Sequence, residues 1–125
     1  MAWQEAREHC KNVSGGDLAS IPDKDTNRFL QTLTNEEANV WVGGHRSSDN
    51  GEDWVWSDET PWQFENWFQG KPDNLGGDQT HLSFNYAKSG KWDDDFAFQE
   101  KSFLCSHKGL QNSYTNKHIQ NVSQF

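Results

Sequence analysis

The sequence predicts an α+β domain, and three observations carry the prediction. Helical periodicity is confined to the first third of the chain. Short strand-like runs fill most of the rest. Between strand runs lies a long stretch, residues 63–80, rich in Asn, Gly, Pro and Asp. In order, Trp3, Ala6, Cys10 and Val13 recur at helical spacing, so residues 3–13 form a helix that Gly15-Gly16 ends. Residues 18–21 form a short extended piece. Pro22 and Asp23 open a second helix with Phe29, Leu30 and Leu33 as its buried stripe, closed by Asn35-Glu36-Glu37. Val40-Trp41-Val42-Gly43-Gly44 is apolar on both faces and is therefore a central strand. Residues 45–53 form a polar loop, 54–56 a strand and 57–60 a turn. Residues 81–86 and 90–92 are strands joined by a turn, and 103–105 is the last strand. Trp62, Phe64, Trp67 and Phe68 argue that the 63–80 stretch is ordered, because a disordered loop does not expose so many rings. Residues 1–108 then form one domain and 109–125 a polar C-terminal tail. The expected core joins Trp3, Leu18, Ile21, Leu30, Trp41, Val42, Trp56, Leu82, Trp92 and Leu104.

The chain has 125 residues, enough for one domain with its own core. Only 32% of residues are apolar, but seven Trp and eight Phe supply large rings that offset the deficit. The net charge of −8 argues against nucleic acid and an anionic membrane surface as main partners, since both favour a basic face. No apolar run approaches the roughly 20 residues of a membrane span. Met1 is followed by Ala-Trp-Gln-Glu, which is not a secretion signal, so a secreted chain would begin inside a larger precursor. The composition carries no nucleophile–base pair, no Gly-rich phosphate loop and no His-Glu-x-x-His run, so an enzyme is not expected.

Cys10 and Cys105 are the two cysteines and form no Cys-x-x-Cys pair. They are either two buried free thiols or a disulfide; the disulfide is the preferred expectation. Closing a loop of nearly the whole chain contributes on the order of 4–5 kcal/mol in the chain-entropy model, and it places folding in an oxidising compartment. Two sequons, Asn12-Val13-Ser14 and Asn121-Val122-Ser123, agree with secretion.

Eight segments follow one another in a familiar order. They are Trp3-x-x-Ala6-x-x-x-Cys10, Gly15-Gly16-x-Leu18-Ala19-Ser20-Ile21, Phe29-Leu30, Trp41-Val42-Gly43-Gly44, Trp54-x-Trp56-Ser57-Asp58, Trp67-Phe68-x-Gly70-x-Pro72-Asp73-Asn74, Gly90-Lys91-Trp92-Asp93-Asp94 and Phe103-Leu104-Cys105. Over residues 3–107 this pattern resembles a C-type lectin-like domain. The resemblance implies two helices, small antiparallel sheets and a long irregular upper loop. It also implies that Cys10 and Cys105 are the family's domain-closing disulfide. Two departures accompany it. The family's second disulfide would fall at His81 and Ala97, so the upper loops need another support, for which residues 62–68 with Phe96 and Phe98 are the candidates. The family's first strand is missing, which would leave the strand at 103–107 with an open edge for a homodimer; the tail is a second candidate for that role.

One constellation has binding chemistry: Asp73, Asp78, Asp93, Asp94 and Asp95, with Asn74 and Gln79. Calcium takes six to eight oxygen ligands and needs such a cluster, although a solvated acidic loop has the same composition. The resemblance implies a calcium site at Asp73, Gln79, Asp93 and Asp94, and sugar contacts at Lys71, Asp73, Gln79 and Asp93. The triplet Lys71-Pro72-Asp73 is similar to the galactose-type one. Lys71 departs from it, because an ammonium has no lone pair and repels the ion. Arg46 stands where a second calcium site would need an acid, so none is expected there. His81 is expected to fill the space of the lost cysteine. The implied function is a secreted carbohydrate-binding lectin, its calcium site weakened by Lys71, with glycans or glycoproteins as partners and innate immune glycan recognition as a setting. The alternative is a calcium-independent module for a protein or other non-sugar ligand.

Overall fold

The helical spacing of Trp3, Ala6 and Cys10 becomes α1 (Trp3–Val13), with all three side chains buried. A computed structural model describes residues 1–34, 36–48 and 51–107. The tail at 109–125, with His118 and the second sequon, lies outside the described residues, as does Asp49. After α1 come β1 (Gly15–Leu18), α2 (Lys24–Leu33), β2 (Val40–Arg46), β3 (Trp54–Trp56), β4 (Gln79–Tyr86), β5 (Lys91–Phe96) and β6 (Cys105–His107). β2 through β5 form an antiparallel sheet in the order β3-β2-β4-β5, and β1 pairs with β6.

Both helices start as the sequence predicts. At α1 the Glu5 carboxylate accepts the Ala2 N–H at 3.1 Å, and at α2 the Asp23 Oδ1 accepts the Thr26 N–H at 2.7 Å. The stripe of α2 is rotated from expectation. Leu30 is fully buried with Thr26 and Asn27, while Phe29 and Leu33 are only partly buried. Asn27 is drawn inward because its side chain satisfies two buried groups. It donates to the Gly90 carbonyl at 2.9 Å and accepts the Trp92 indole N–H at 2.8 Å.

Strand boundaries differ from expectation where pairing overrides local composition. β2 runs on through His45 and Arg46, which pair with Val55 and Trp54. β4 begins at Gln79. β5 extends to Phe96, so Asp93, Asp94 and Asp95 sit in a strand and not in a loop, paired with Ser83, Leu82 and His81 of β4. Asp is a poor strand former, but a ladder on a central neighbour outweighs that preference. The extended piece expected at residues 18–21 begins earlier, at Gly15. The last strand begins only at Cys105; Phe103 forms an isolated parallel bridge to Trp41. β1 takes one edge of β6, and among the described residues no strand pairs with the other. Met1 lies beside the segment before β6, with Lys101 N–H donating to the Met1 carbonyl at 3.0 Å.

All ten expected core residues are buried, but in two clusters and not one. The period of β2 divides them. Val40 and Val42 face a larger cluster with Leu30, Trp56, Leu82, Phe84 and Trp92. Trp41 faces a smaller one with Trp3, Leu18, Phe103 and the Cys10–Cys105 disulfide, whose Cα atoms lie 5.3 Å apart. The two glycines after Val42 are forced by close approach. A Cβ on Gly44 would stand 2.7 Å from Leu82 Cδ1, and one on Gly43 would stand 2.6 Å from Ser57 Oγ.

His81 and Ala97, the positions of the absent staple, both pack on Trp3. The His81 ring lies 4.3 Å from the Trp3 ring, Ala97 packs against the same cluster, and the Ala97 carbonyl accepts the Trp3 N–H at 3.0 Å. His81 thus packs on Trp3 at the position where the absent cysteine would stand.

Candidate functional site

The loop from Trp62 to Asp78 is anchored first by rings. Trp62, Phe64 and Trp67 all lie within 6 Å of the Trp92 ring, edge to face, and Trp62 also lies 4.6 Å from Trp56. The backbone adds two bonds: Phe68 N–H donates to the Trp92 carbonyl at 2.9 Å, and Trp92 N–H to the Asn66 carbonyl at 3.0 Å. Phe96 and Phe98, proposed from sequence as part of this support, stack on each other at 5.3 Å, with Phe96 near Gly76 of the upper loop and Phe98 exposed.

These anchors deliver Asp73 to β5. Carboxylate oxygens of Asp73, Asp93 and Asp94 all lie within 4.8 Å of one another. Two cations sit among them. Lys71 Nζ is 2.9 Å from Asp73 Oδ2 and 3.4 Å from Asp93 Oδ1. The second contact is an ion-pair distance without hydrogen-bond geometry, and that buried oxygen has no hydrogen-bond donor among the described residues. Arg46 Nη2 is 3.2 Å from Asp94 Oδ2, and both side chains are buried. Asp94 also accepts the backbone N–H groups of Asp73 at 3.2 Å and Asn74 at 2.7 Å. The guanidinium continues outward, donating to the carbonyls of Gln79 at 3.0 Å and Gly51 at 3.0 Å, and lies over the Trp54 ring. Lys71 lies 5.5 Å from the Tyr86 ring centroid, and Phe68 packs on the same ring.

The charge states follow from these contacts. The hydrogen bond to Lys71 holds the Asp73 carboxyl below its ordinary value, and the bond to Asp73 raises the Lys71 ammonium above its own. Asp93 goes the other way. Burial pushes its carboxyl up to about 6, against the pull of Lys71.

Of the residues assigned to calcium and sugar by resemblance, Lys71, Asp73, Asp93 and Asp94 are brought together. Gln79 is buried at the start of β4, and its main chain is tied to the cluster: its N–H donates to Asn74 Oδ1 at 2.9 Å and its carbonyl receives Arg46. Asn74 thereby ties the start of β4 to the upper loop. Sequence reasoning treated Arg46 only as the loss of a second calcium site. Its role as the buried partner of Asp94 was signalled by one fact: it is a charged residue two positions past an apolar central strand.

Calcium requires six to eight oxygens. Here both Asp94 oxygens are taken by N–H donors, and Asp73 gives one oxygen to Lys71 and the other to the Leu75 N–H at 3.2 Å. An ammonium already stands between Asp73 and Asp93. In this arrangement the carboxylates are engaged by Lys71, Arg46 and backbone N–H groups, so a calcium ion would have to displace the ammonium to gather its ligands.

The comparisons with known proteins agree with the fold. The family model of the lectin C-type domain matches residues 1–107. A lectin of the newt Pleurodeles waltl is 34% identical over 113 residues, covering 85% of this chain and 64% of the relative. The chain thus spans less than two thirds of that relative's length. Human lithostathine is similar in structure, with a TM-score of 0.74 and 27% identity over 82% of this chain and 73% of that one. A calcium-independent type II antifreeze protein has a TM-score of 0.69 and 29% identity over 79% of this chain and 72% of the other. These relatives are lectins and lectin-like proteins, not enzymes. The chain belongs to the C-type lectin domain family.

Proposed function

We propose that this C-type lectin domain is a calcium-independent recognition module, in which Lys71 holds the place that a metal ion takes in calcium-dependent members. The observation that carries the proposal is the ammonium of Lys71 at 2.9 Å from Asp73 and 3.4 Å from Asp93. Two cations, Lys71 and Arg46, face three carboxylates, so most of the loop's negative charge is offset from within, before any ligand arrives. The fold itself is compatible with either mode, since a calcium-independent and a calcium-dependent type II antifreeze protein are about equally similar to this chain. The upper loop also exposes Leu75, an apolar group that a non-sugar surface could cover. Secretion agrees with the disulfide and is part of the same reading.

The test is a thermal melt in millimolar calcium and in EDTA, together with glycan binding under both conditions. A resident ion stabilises the native state by mass action. The expected result is one melting temperature in both buffers and no calcium-gated binding of galactose or mannose. Lys71→Glu, which replaces the ammonium with oxygen ligands, should gain a calcium-dependent rise in melting temperature that the parent lacks. A parent protein that melts higher in calcium than in EDTA returns the reading to a calcium-dependent lectin.

A further inference from the structure

We infer that Asn12 is a glycan acceptor, and that its modification competes with closure of the Cys10–Cys105 disulfide. The inference rests on the secretory origin proposed above. Asn12 lies in the last turn of α1 and is exposed, as are Lys11 and Val13 on either side of it. A glycan there would project into solvent without displacing core. Asn12-Val13-Ser14 has the acceptor pattern, in which the hydroxyl two residues on helps present the asparagine amide to the transferase.

In the folded protein that hydroxyl is engaged. Ser14 Oγ lies 2.7 Å from the Cys10 carbonyl and 2.7 Å from the Ser106 carbonyl, and it accepts the Gly16 N–H at 3.2 Å. One hydroxyl proton serves two carbonyls, and both belong to the disulfide's surroundings: Cys10 is one half of it and Ser106 follows the other. The Ser14 N–H also donates to the Cys10 carbonyl at 3.1 Å, which holds the sequon in the helix end. Once Cys10 and Cys105 join, β6 is fixed beside β1 and the sequon is locked. Transfer must therefore precede closure.

The chemistry is ordinary glycosyl transfer. A bond forms between the Asn12 amide nitrogen and C1 of a sugar carried on a polyisoprenyl diphosphate. The C1–O bond to the diphosphate breaks, the diphosphate leaves with the electron pair, and the amide gives up one proton.

The experiment is secretion of the full chain from animal cells behind a cleavable leader, with and without a pulse of dithiothreitol during synthesis. Trypsin cuts after Lys11 and Lys24, so the peptide 12–24 reports occupancy of Asn12 separately from Asn121. The expected result is partial occupancy without dithiothreitol, a rise of about twofold or more with it, and none in Asn12→Gln. Cys105→Ser, far from the sequon in sequence, should raise occupancy as dithiothreitol does. A secreted, disulfide-bonded chain with bare Asn12 in every condition overturns the site alone. Full occupancy without dithiothreitol overturns the competition. A chain with neither glycan nor disulfide overturns the secretory reading along with the site.

Discussion

α1, β1 and β6 are joined by a covalent bond and an apolar cluster of Trp3, Leu18, Trp41 and Phe103. The segment from Phe68 to Asp78 has no such bond and no helix or strand of its own before Gln79. It is held by rings on Trp92 and by ions on Asp94 and Asp73. Each kind of support has a different reach. The disulfide acts on the whole chain by restricting its unfolded state, whereas a ring cluster or ion pair acts only on what it touches. The first region should therefore govern global stability, and the second local opening.

The largest effect should follow from the disulfide. Replacing Cys10 and Cys105 together by Ala should lower unfolding free energy by on the order of 4–5 kcal/mol, measured by urea denaturation. A loss under about 1 kcal/mol would mean that the bond adds little to a region already fixed by packing.

Next in size are two Trp truncations. Trp41→Ala and Trp92→Ala each remove a fully buried indole and should each cost about 3–5 kcal/mol. They differ in where the damage goes. Trp92 carries Trp62, Phe64 and Trp67, so its loss should speed limited proteolysis within residues 66–76 well beyond what the Trp41 variant shows. Equal cleavage of the two variants would break the distinction between global and local support.

The same division decides what the sequence could reveal. Helices, the central strand and the core residues were legible because periodicity and large apolar side chains report burial directly. The site was legible in its acids but not in its electrostatics. Asp73, Asp93 and Asp94 stand out in sequence, yet the partner of Asp94 is Arg46, 48 residues away on another strand. Nothing local marks that pair. The division of the core was hidden for a similar reason. Trp41 and Val42 are adjacent in sequence but face opposite sides of β2, and which side joins which cluster depends on α1 and β6. Asp93–Asp95 lay in a strand because β4 offered a ladder, which composition cannot report.

Breaking the Arg46–Asp94 pair should rank third. Asp94→Asn leaves a buried guanidinium without its counter-ion and should cost about 3 kcal/mol. Arg46→Met combined with Asp94→Leu should cost less than either single change, because no charge is then left buried without a partner. A double-mutant cycle reads this coupling directly. If the two single costs simply add, the pair is screened by water and adds no coupling of its own to the upper loop.

The smallest expected effect is a cancellation between the two regions. His81, packed on Trp3 beside the disulfide cluster, is pushed by burial down to about 4, and the neighbouring His45 acts in the same direction. Asp93, in the upper site, is pushed by burial up to about 6. Between about pH 4 and 6.5 the unfolded chain binds a proton at His81 that the native state refuses, so that group makes stability fall on acidification. Between about pH 4 and 6 the native state binds a proton at Asp93 that the unfolded chain refuses, so this group makes stability rise on acidification. A departure of about two pH units is worth roughly 3 kcal/mol at most, and the two are nearly equal and opposite. The parent's unfolding free energy should therefore change little from pH 6.5 to pH 4. Asp73, held below its ordinary value by Lys71, begins to lose its contribution at the acid edge of this window and loses most of it at lower pH. Removing one partner exposes the other. In His81→Gln, stability should rise by about 1–3 kcal/mol on going from pH 6.5 to pH 4, and in Asp93→Asn it should fall by a similar amount. Urea melts at the two pH values settle it. If both variants shift in the same direction, one of the two groups is hydrated in the native state, and the buried carboxylate beside Lys71 is the one to re-examine, by following its titration with carbon-detected NMR.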